Sequence, residues 1–494
     1  GNHTIGANAT AVGFAAGLNN TTGVITAIGS QTLNANTTAN NNTAVGVSAL
    51  LNNTANNNTA VGHIAMNDNT SGTQNVALGG FALDANTTAN NNTAVGYSAL
   101  SANTTGTQNA AFGAFAADVI TTGNYNTAVG VNALGDATTS SNNTAVGNGA
   151  LNRNTTAGNN TAVGYHALEE TTTGDRNVAV GSNALDDNTT GTKMTAIGHQ
   201  ALTAASTSTD CTCIGAFSGM SITTGGSNNA VGSGSLESTT TGSSNVAIGN
   251  GSLQQNTTAS SNTAVGRNSL NVATTGQFNV AVGHLALDTA TTPDRNTAVG
   301  YHAGENITTA GTNTLLGYQA GKNITTGEGK NICIGDDTQL GDIDNHREIV
   351  IGHNSTGKGS QTAFLRGSSG VFNTNNTTTW NQTSDERIKK NIVDNNKGLE
   401  FINQIQVRDF EYRTEEEITD FKNPKSAVVP KSGVQIGTIA QEIEKVLPEL
   451  VTESSAGVKN VNTDPLLWYL INAIKELSTK NTTLETRVAT LEAA

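Results

Sequence analysis

Ser384 and Lys389 lie five residues apart in a polar segment of the chain. A serine hydroxyl becomes a nucleophile when a base removes its proton, and a desolvated lysine with a lowered pKa is one such base. The same segment also suits the start of a helix, because Ser384 is a good N-cap residue and Asp385 and Glu386 follow it. Serine and lysine are common residues, so spacing alone favours the helix cap over catalysis.

Histidines and acidic pairs are the other candidates for chemistry. Six histidines follow a recurring glycine by one or two residues: His63, His166, His199, His284, His302 and His353. We expect exposed turn residues rather than an ion site between chains, since no ligand partner recurs with them. The pairs Glu169-Glu170, Asp186-Asp187 and Asp336-Asp337 have no aromatic platform beside them. We predict no metal and no cofactor.

These residues belong to a repeat. The phrase Thr-Ala-Val-Gly, or a near variant, occurs 21 times between Gly13 and Gly352 with steps of 16 to 18 residues. A short fixed period indicates one small unit stacked on itself. We predict a mostly β fold, in which residues 1–360 form a solenoid of about 17 residues per coil.

Each repeat carries two small–large pairs, such as Ala94-Val95 before Gly96 and Ala99-Leu100 after it. This pattern predicts two short strands separated by a glycine bend, with an Asn-Thr-Thr-Gly return turn. Alternation places large residues on one face and alanines on the other. We expect the large face to fill the coil and the small face to contact another chain. The asparagines before the strands are expected to form ladders.

The three cysteines show no disulfide pattern. Cys213 and Cys333 occupy a repeat slot that holds alanine in 17 of 21 copies, so they are predicted to pack as small buried residues. Cys211 is too close to Cys213 in an extended strand for a normal bridge. Packing is favoured over a metal or redox role.

The density of charged residues rises sharply near residue 380. Residues 1–383 carry 10 Lys/Arg and 20 Asp/Glu, whereas residues 384–494 carry 14 and 18. We predict a linker at 361–383 and a separate domain at 384–494. The net charge of −14 disfavours nucleic acid as a partner. No apolar run is long enough for membrane insertion.

The glycine phrase resembles the head repeats of trimeric autotransporter adhesins and phage tail fibres, which are trimeric β-rolls. This resemblance covers residues 1–360 and implies a homotrimeric β-roll fibre. The period here is longer than is common in those head repeats. The implied partners are two further copies of the chain and a host cell-surface receptor, glycans included.

Three motifs follow the repeats: Thr383-Ser384-Asp385-Glu386-Arg387-Ile388-Lys389-Lys390-Asn391-Ile392, Arg408-Asp409-Phe410-Glu411-Tyr412, and Gly437-Thr438-Ile439-Ala440-Gln441-Glu442-Ile443-Glu444. They resemble the intramolecular chaperone domain of endosialidase-type phage tail spikes and tail fibres. The resemblance implies an α+β domain over residues 384–494 that drives trimerisation and then cuts itself off. A departure lies at residues 461–465, where relatives more often carry a tyrosine.

Carried onto this chain, the resemblance places the scissile bond between Thr383 and Ser384. It makes Ser384 the nucleophile and Lys389 its general base, for at most one turnover per chain. The family match outweighs the helix-cap interpretation, and the two remain compatible because a capping serine lies at an exposed helix start.

Apolar residues near the end of the chain recur at alternating steps of three and four, and this heptad pattern predicts a helix over about residues 465–492. We call the row of residues at these positions the seam. A buried asparagine in such a seam fixes the register, and β-branched residues opposite leucine nominally favour two strands. The family resemblance implies three strands, and an ordinary core helix is the alternative. The seam residues are Leu467, Leu470, Ile474, Leu477, Asn481, Leu484, Val488 and Leu491.

Together these observations predict a structural fibre or adhesin on a virion surface or outside the cell. Near-identical coils can pair one repeat out of step at little cost, so assembly needs a clamp at one end. One alternative is a polysaccharide-degrading tail spike, which needs paired carboxylates in a groove. The other is a cellular surface fibre with an uncleaved trimer clamp.

Overall fold

A computed structural model describes residues 8–327, 329–365, 387, 389–420, 427–429, 431–453 and 457–493. The chain divides into two units, Gly1–Thr309 and Ala310–Ala494. None of the helices described below has the length and apolarity that a membrane span needs.

Short strands recur through the described part of the first unit, and each pairs in parallel with the next. Equivalent repeat residues stand opposite one another, as Ala94 stands opposite Ala111. This arrangement confirms the predicted β-solenoid. The strands are β1 Thr10–Val12, β2 Ile25–Ile28, β3 Asn42–Val45, β4 Thr59–Val61, β5 Val76–Leu78, β6 Thr93–Val95, β7 Ala110–Phe112, β8 Thr127–Val129, β9 Thr144–Val146, β10 Thr161–Val163, β11 Val178–Val180, β12 Thr195–Ile197, β13 Thr212–Ile214, β14 Asn229–Val231, β15 Val246–Ile248, β16 Thr263–Val265, β17 Val280–Val282 and β18 Thr297–Val299.

The second unit begins with four more parallel strands: β19 Thr314–Leu316, β20 Ile332–Ile334, β21 Ile349–Ile351 and β22 Ala363–Leu365. Strand β22 pairs with β21, Val350 standing opposite Phe364. It lies beyond the last copy of the repeat phrase, and Arg366 instead of a glycine follows it directly. The sequence pattern therefore did not identify this strand.

Each coil has one strand, and the prediction of two strands per coil was wrong. After Gly96 the chain enters a turn in which Ser98 has φ of 53° and Leu100 has φ of 51°. A leucine whose backbone is in the left-handed region cannot continue an extended strand. The Leu100 N–H still donates to the carbonyl of Ala116 in the next coil at 3.0 Å, so the second small–large pair stacks from coil to coil without being a strand.

The expected placement of large and small residues was also wrong, because the strand alanines face the interior. Ala94 and Leu100 are fully buried, whereas Phe112, which precedes the next glycine, is 43% exposed. The interior has room for one large side chain at this level. Where the strand carries Leu315, the facing turn carries Gly321, and a Cβ at Gly321 would lie 2.6 Å from Leu315 Cδ2. The buried leucine of the turn therefore forces a small residue into the strand.

Asparagine ladders are confirmed, with a mixed pattern of donors and acceptors. Asn92 Oδ1 accepts the backbone N–H of Asn109 at 2.9 Å, and Asn92 Nδ2 donates to the carbonyl of Gly106 at 2.8 Å. The amide thus satisfies two buried backbone groups of the coils, which would otherwise be costly. The ladder is interrupted at Met194 and Cys211, which occupy equivalent positions in two consecutive coils.

The repeat glycines allow close approach of neighbouring coils. Gly198 has φ of 137°, and a Cβ there would lie 2.5 Å from the carbonyl oxygen of Gly215. We expect Gly198→Ala to cost about 2–4 kcal/mol of unfolding free energy, since it combines backbone strain with separation of two coils. Urea unfolding followed by circular dichroism measures the loss. The exposed residue Thr207 provides the matched control, because the unfolding free energy of Thr207→Ala should lie within about 0.5 kcal/mol of the wild-type value. Equal urea midpoints for the two variants would contradict the proposed role of Gly198.

The predicted packing role of the cysteines is confirmed. Cys211, Cys213 and Cys333 are free thiols, and all three are buried. Burial raises the pKa of each thiol, that of Cys333 to about 12. The thiolate, which is the reactive form, is therefore scarce at neutral pH.

The rest of the second unit is α+β. Its helices are α1 Leu399–Ile402, α2 Ala440–Val446 and α3 Asp464–Glu492, with 3-10 turns at Glu415–Glu417 and Pro448–Leu450. Strands β23 Arg408–Phe410 and β24 Gln435–Gly437 form an antiparallel pair, as do β25 Val451–Glu453 and β26 Lys459–Val461. A small core packs the three helices against β25 and β26. It consists of Ile443, Leu447, Leu450 and Tyr469, with Phe401, Ile402 and Leu466 packed against it.

Candidate functional site

The predicted processing site is partly outside the described residues. Thr383 and Ser384 lie outside them. Lys389 is described, and its side chain is exposed in the single chain. Residues 389–398 form neither helix nor strand, so no continuous helix connects Lys389 to α1. The roles of Ser384 and Lys389 stay predictions.

Helix α3 holds the segment that follows Lys389. The side-chain amide of Asn472 donates to the carbonyl of Asn395 at 2.7 Å, and the Leu399 N–H donates to Glu476 Oε2 at 3.2 Å. Both contacts join positions that are 77 residues apart in the chain. The long helix therefore fixes the path of the chain that leads away from the predicted cleavage site.

Glu449 completes this attachment. Its carboxylate accepts hydrogen bonds from the Lys397 ammonium and, at 3.3 Å, from the Tyr469 hydroxyl. The hydrogen bond from Lys397 is the main reason that the pKa of Glu449 is lowered. Lys397 Nζ also lies 5.5 Å from the ring centroid of Phe401. An ion pair thus joins the segment to the 3-10 turn Pro448–Leu450, and the rings of Phe401 in α1 and Tyr469 in α3 lie beside the ammonium.

An open depression of about 780 Å³ lies between this segment and α3. Trp468, Asn472 and Lys475 line it from the helix, and Asn395 lines it from the segment. No histidine, cysteine or serine is among its described lining residues. It is a polar surface with one aromatic wall, to which Trp468 and Tyr469 contribute.

The predicted seam of α3 is uncovered in the single chain. Its seven apolar residues are between 45% and 75% exposed, the lowest value belonging to Leu470 and the highest to Leu491. Only Tyr469 and Ala473 of this helix are buried within its own unit. Asn481 donates from Nδ2 to Glu485 Oε1 of the same helix at 2.9 Å. The helix expected near residues 465–492 is present, and its supercoiling with partner helices stays a prediction.

A second uncovered apolar surface runs along the first unit. We call it the outer stripe, and it consists of the large apolar residues that directly precede and follow the repeat glycines. In-register pairing stacks them, as Val95 stands opposite Phe112 and Phe112 opposite Val129. Those that are more than a third exposed are Val12, Phe14, Ile28, Val47, Leu78, Tyr97, Phe112, Val129, Val131, Val163, Tyr165, Ile197, Ile214, Val231, Ile248 and Tyr301.

The structure also corrects the expectation that no ligand partner recurs with the histidines. His166 Nδ1 lies 2.6 Å from Glu169 Oε2, and His302 Nδ1 lies 2.5 Å from Glu305 Oε2. The His-x-x-Glu spacing is visible in the sequence and could have been found by aligning the repeats. The same alignment places Asp186 one coil after Glu169, but only the structure shows that its carboxylate lies beside His166 and Glu169.

Comparison with known protein families finds a match for the segment that follows the repeats. Residues 384–452 match the family described as chaperone of endosialidase. The match includes the predicted serine and lysine, Ser384 and Lys389, and three residues of the small core, Ile443, Leu447 and Leu450. No curated protein matches the chain. The chain thus combines a β-solenoid with a segment that matches the chaperone of endosialidase family, and this combination fits a tail-fibre-type protein.

Proposed function

We propose that this chain is a homotrimeric attachment fibre of a virion, in which residues 1–360 form the fibre, 361–383 the neck and 384–494 the assembly domain. This domain aligns three chains and then cleaves the bond between Thr383 and Ser384. The observation that carries the proposal is the pair of uncovered apolar surfaces, the outer stripe and the α3 seam, in a chain that also carries a chaperone of endosialidase domain.

The exposure of the outer stripe in the single chain supports self-association, because association would bury it. Transfer of one large apolar side chain from water is worth about 1.5–3 kcal/mol, and an uncovered stripe that repeats coil after coil marks an interaction surface. Three copies placed around a common axis bring three equal stripes together in a closed assembly. The residue before the repeat glycine is large and apolar in coil after coil, so this row of the stripe favours association without specifying which coils meet.

The α3 seam supplies that missing register. Its leucines require partner helices, and Asn481 is the polar seam residue that penalises helices paired out of step. The ties between α3 and the segment at Asn395 and Leu399 connect the register of the helices to the chain that precedes them. In this proposal three helices meet first, and the coils then stack in step.

Cleavage after assembly would leave a fibre that is kinetically trapped in its folded state. In the proposed step, the Ser384 hydroxyl attacks the carbonyl carbon of Thr383 while Lys389 takes the hydroxyl proton. The bond to the Ser384 nitrogen breaks and the proton passes to that nitrogen. Water then hydrolyses the ester, which leaves a carboxylate on Thr383 and a free amine and hydroxyl on Ser384.

The test of the assembly is the mass of the intact particle. We expect light scattering on the Ser384→Ala chain, which keeps its assembly domain, to give three times the chain mass of 50.4 kDa. A particle of one or two chain masses would contradict the trimer. Binding of the labelled trimer to candidate host cells, with and without enzymatic removal of surface glycans, then tests attachment.

The polysaccharide-degrading alternative has less support among the described residues. Glu170, one of its candidate carboxylates, is ion-paired with Arg153 at 2.6 Å, and Asp186 packs beside His166. Incubation of the fibre with host polysaccharide should release no new reducing ends, and sustained release would favour the enzyme over the fibre.

A further inference from the structure

We propose that His166, Glu169 and Asp186 form a binding site for a divalent transition-metal ion, with zinc as the best fit. Each residue offers one ligand atom, and the three atoms all lie within 4.8 Å of one another. This site is contained in a single chain, so it does not depend on the proposed trimer or on cleavage.

The solenoid period brings the three residues together. His166 and Glu169 lie in the turn that follows β10, and Asp186 lies 17 residues after Glu169, at the same place in the next coil. Neighbouring coils are about 4.8 Å apart, so the two carboxylates stack one above the other. Because this spacing is set by the strand pairing of β10 with β11, the ligand set is held by the scaffold.

Packing fixes the imidazole ring. The ring stacks on Tyr165 with centroids 3.8 Å apart and planes 15° apart. It also lies against Gly149 of the preceding coil, where a Cβ would come within 2.8 Å of His166 Cδ2. Nδ1 is thereby held toward Glu169. A ligand that is oriented before binding loses little freedom when an ion arrives.

The second observation is an unsatisfied oxygen on Asp186. Asn183 donates from Nδ2 to Asp186 Oδ2 at 2.9 Å, which orients the carboxylate. The other oxygen, Oδ1, is buried and has no hydrogen-bond partner. Buried carboxylate oxygens are normally satisfied, and a cation held jointly with His166 and Glu169 would satisfy this one.

The donor set selects the class of ion. One imidazole nitrogen and two carboxylate oxygens suit zinc and neighbouring first-row metals, whereas magnesium and calcium prefer oxygen alone. The side chains of His166 and Glu169 remain 28% and 17% exposed, so an ion can enter and keep a water as a further ligand.

The chain contains a matched control eight repeats later. His302 and Glu305 reproduce the His-x-x-Glu pair with an Nδ1 to Oε2 distance of 2.5 Å. The residue that corresponds to Asp186 in that copy is Lys322. Asp288 of the preceding coil interacts electrostatically with both residues, but among the described residues no third ligand atom is grouped with this pair within 4.8 Å. Lys322 occupies the position of the third ligand, so the second pair should not bind zinc with comparable strength.

The experiment is a calorimetric titration of zinc into untagged, metal-free protein, repeated with cobalt while the absorption of tetrahedral Co²⁺ is recorded. We expect one tight site per chain in the wild type. His166→Ala and the near-isosteric Asp186→Asn should each weaken it at least tenfold, and His302→Ala should leave it unchanged. Wild-type protein without a tight site, or unchanged binding by His166→Ala, would overturn the proposal. If His166→Ala misfolds, binding by Asp186→Asn decides alone.

Discussion

Replacing Ser384 with alanine should leave the chain at its full 494 residues, whereas we expect the wild-type chain to separate into pieces of 383 and 111 residues. Alanine lacks the hydroxyl that attacks the Thr383 carbonyl, and loss of a nucleophile slows such a step by a factor of about 10³ or more. Denaturing gels and intact-mass measurement report both pieces directly. An uncut wild-type chain would make the domain a permanent clamp, and Ser384 would return to the helix-cap interpretation.

Variants of Lys389 distinguish a general base from a residue that acts only through its positive charge. Lys389→Arg keeps the positive charge but cannot give up its proton at neutral pH. If Lys389 is the general base, both Lys389→Arg and Lys389→Ala stay uncut. Lys390 is its exposed neighbour, and Lys390→Ala should be cut like wild type. Full cleavage of the arginine variant would assign Lys389 a purely electrostatic role.

Placing lysines in the α3 seam should abolish trimer formation. Leu477 and Leu484 are 57% and 55% exposed in the single chain, and each is worth about 2 kcal/mol when buried against partner helices. In the double variant Leu477→Lys/Leu484→Lys, three chains lose this gain and bring six charges together. We expect light scattering to show single chains or aggregates in place of the trimer.

Thr479 and Thr486 provide the matched control for this experiment. They have the same seven-residue spacing on the same exposed helix, but they lie outside the seam, and their hydroxyls donate to the carbonyls of Lys475 and Thr482. Thr479→Lys/Thr486→Lys should therefore still give trimers. Trimers from the seam variant, or the same loss in both variants, would contradict the assembly role of the seam.

Much of this protein could be predicted from its sequence because the determining interactions are local and repeated. A glycine every 17 residues leads to a solenoid, and the polar residue before each strand leads to a ladder such as that of Asn92 and Asn109. The apolar heptads likewise predict the helix that spans Asp464–Glu492. In each case a short-range pattern determines the backbone conformation, and repetition removes ambiguity about which segments pair.

Side-chain direction was decided by tertiary packing. The sequence shows that Ala94 and Val95 point to opposite faces, but the left-handed turn at Leu100 determines which face lies inside. Only the folded coil shows that one large side chain fits between strand and turn, and this leaves the outer stripe exposed.

The sequence by itself thus determined the solenoid, its period, the asparagine ladders and the long helix. Tertiary structure decided the orientation of the coil faces, the extra pairing of β22 with β21 and the meeting of Asp186 with His166 and Glu169. The physical reason is that a period specifies which residues become neighbours between coils. Which of those neighbours point inward, and which polar atoms remain unsatisfied, depends on the volume enclosed by each folded coil.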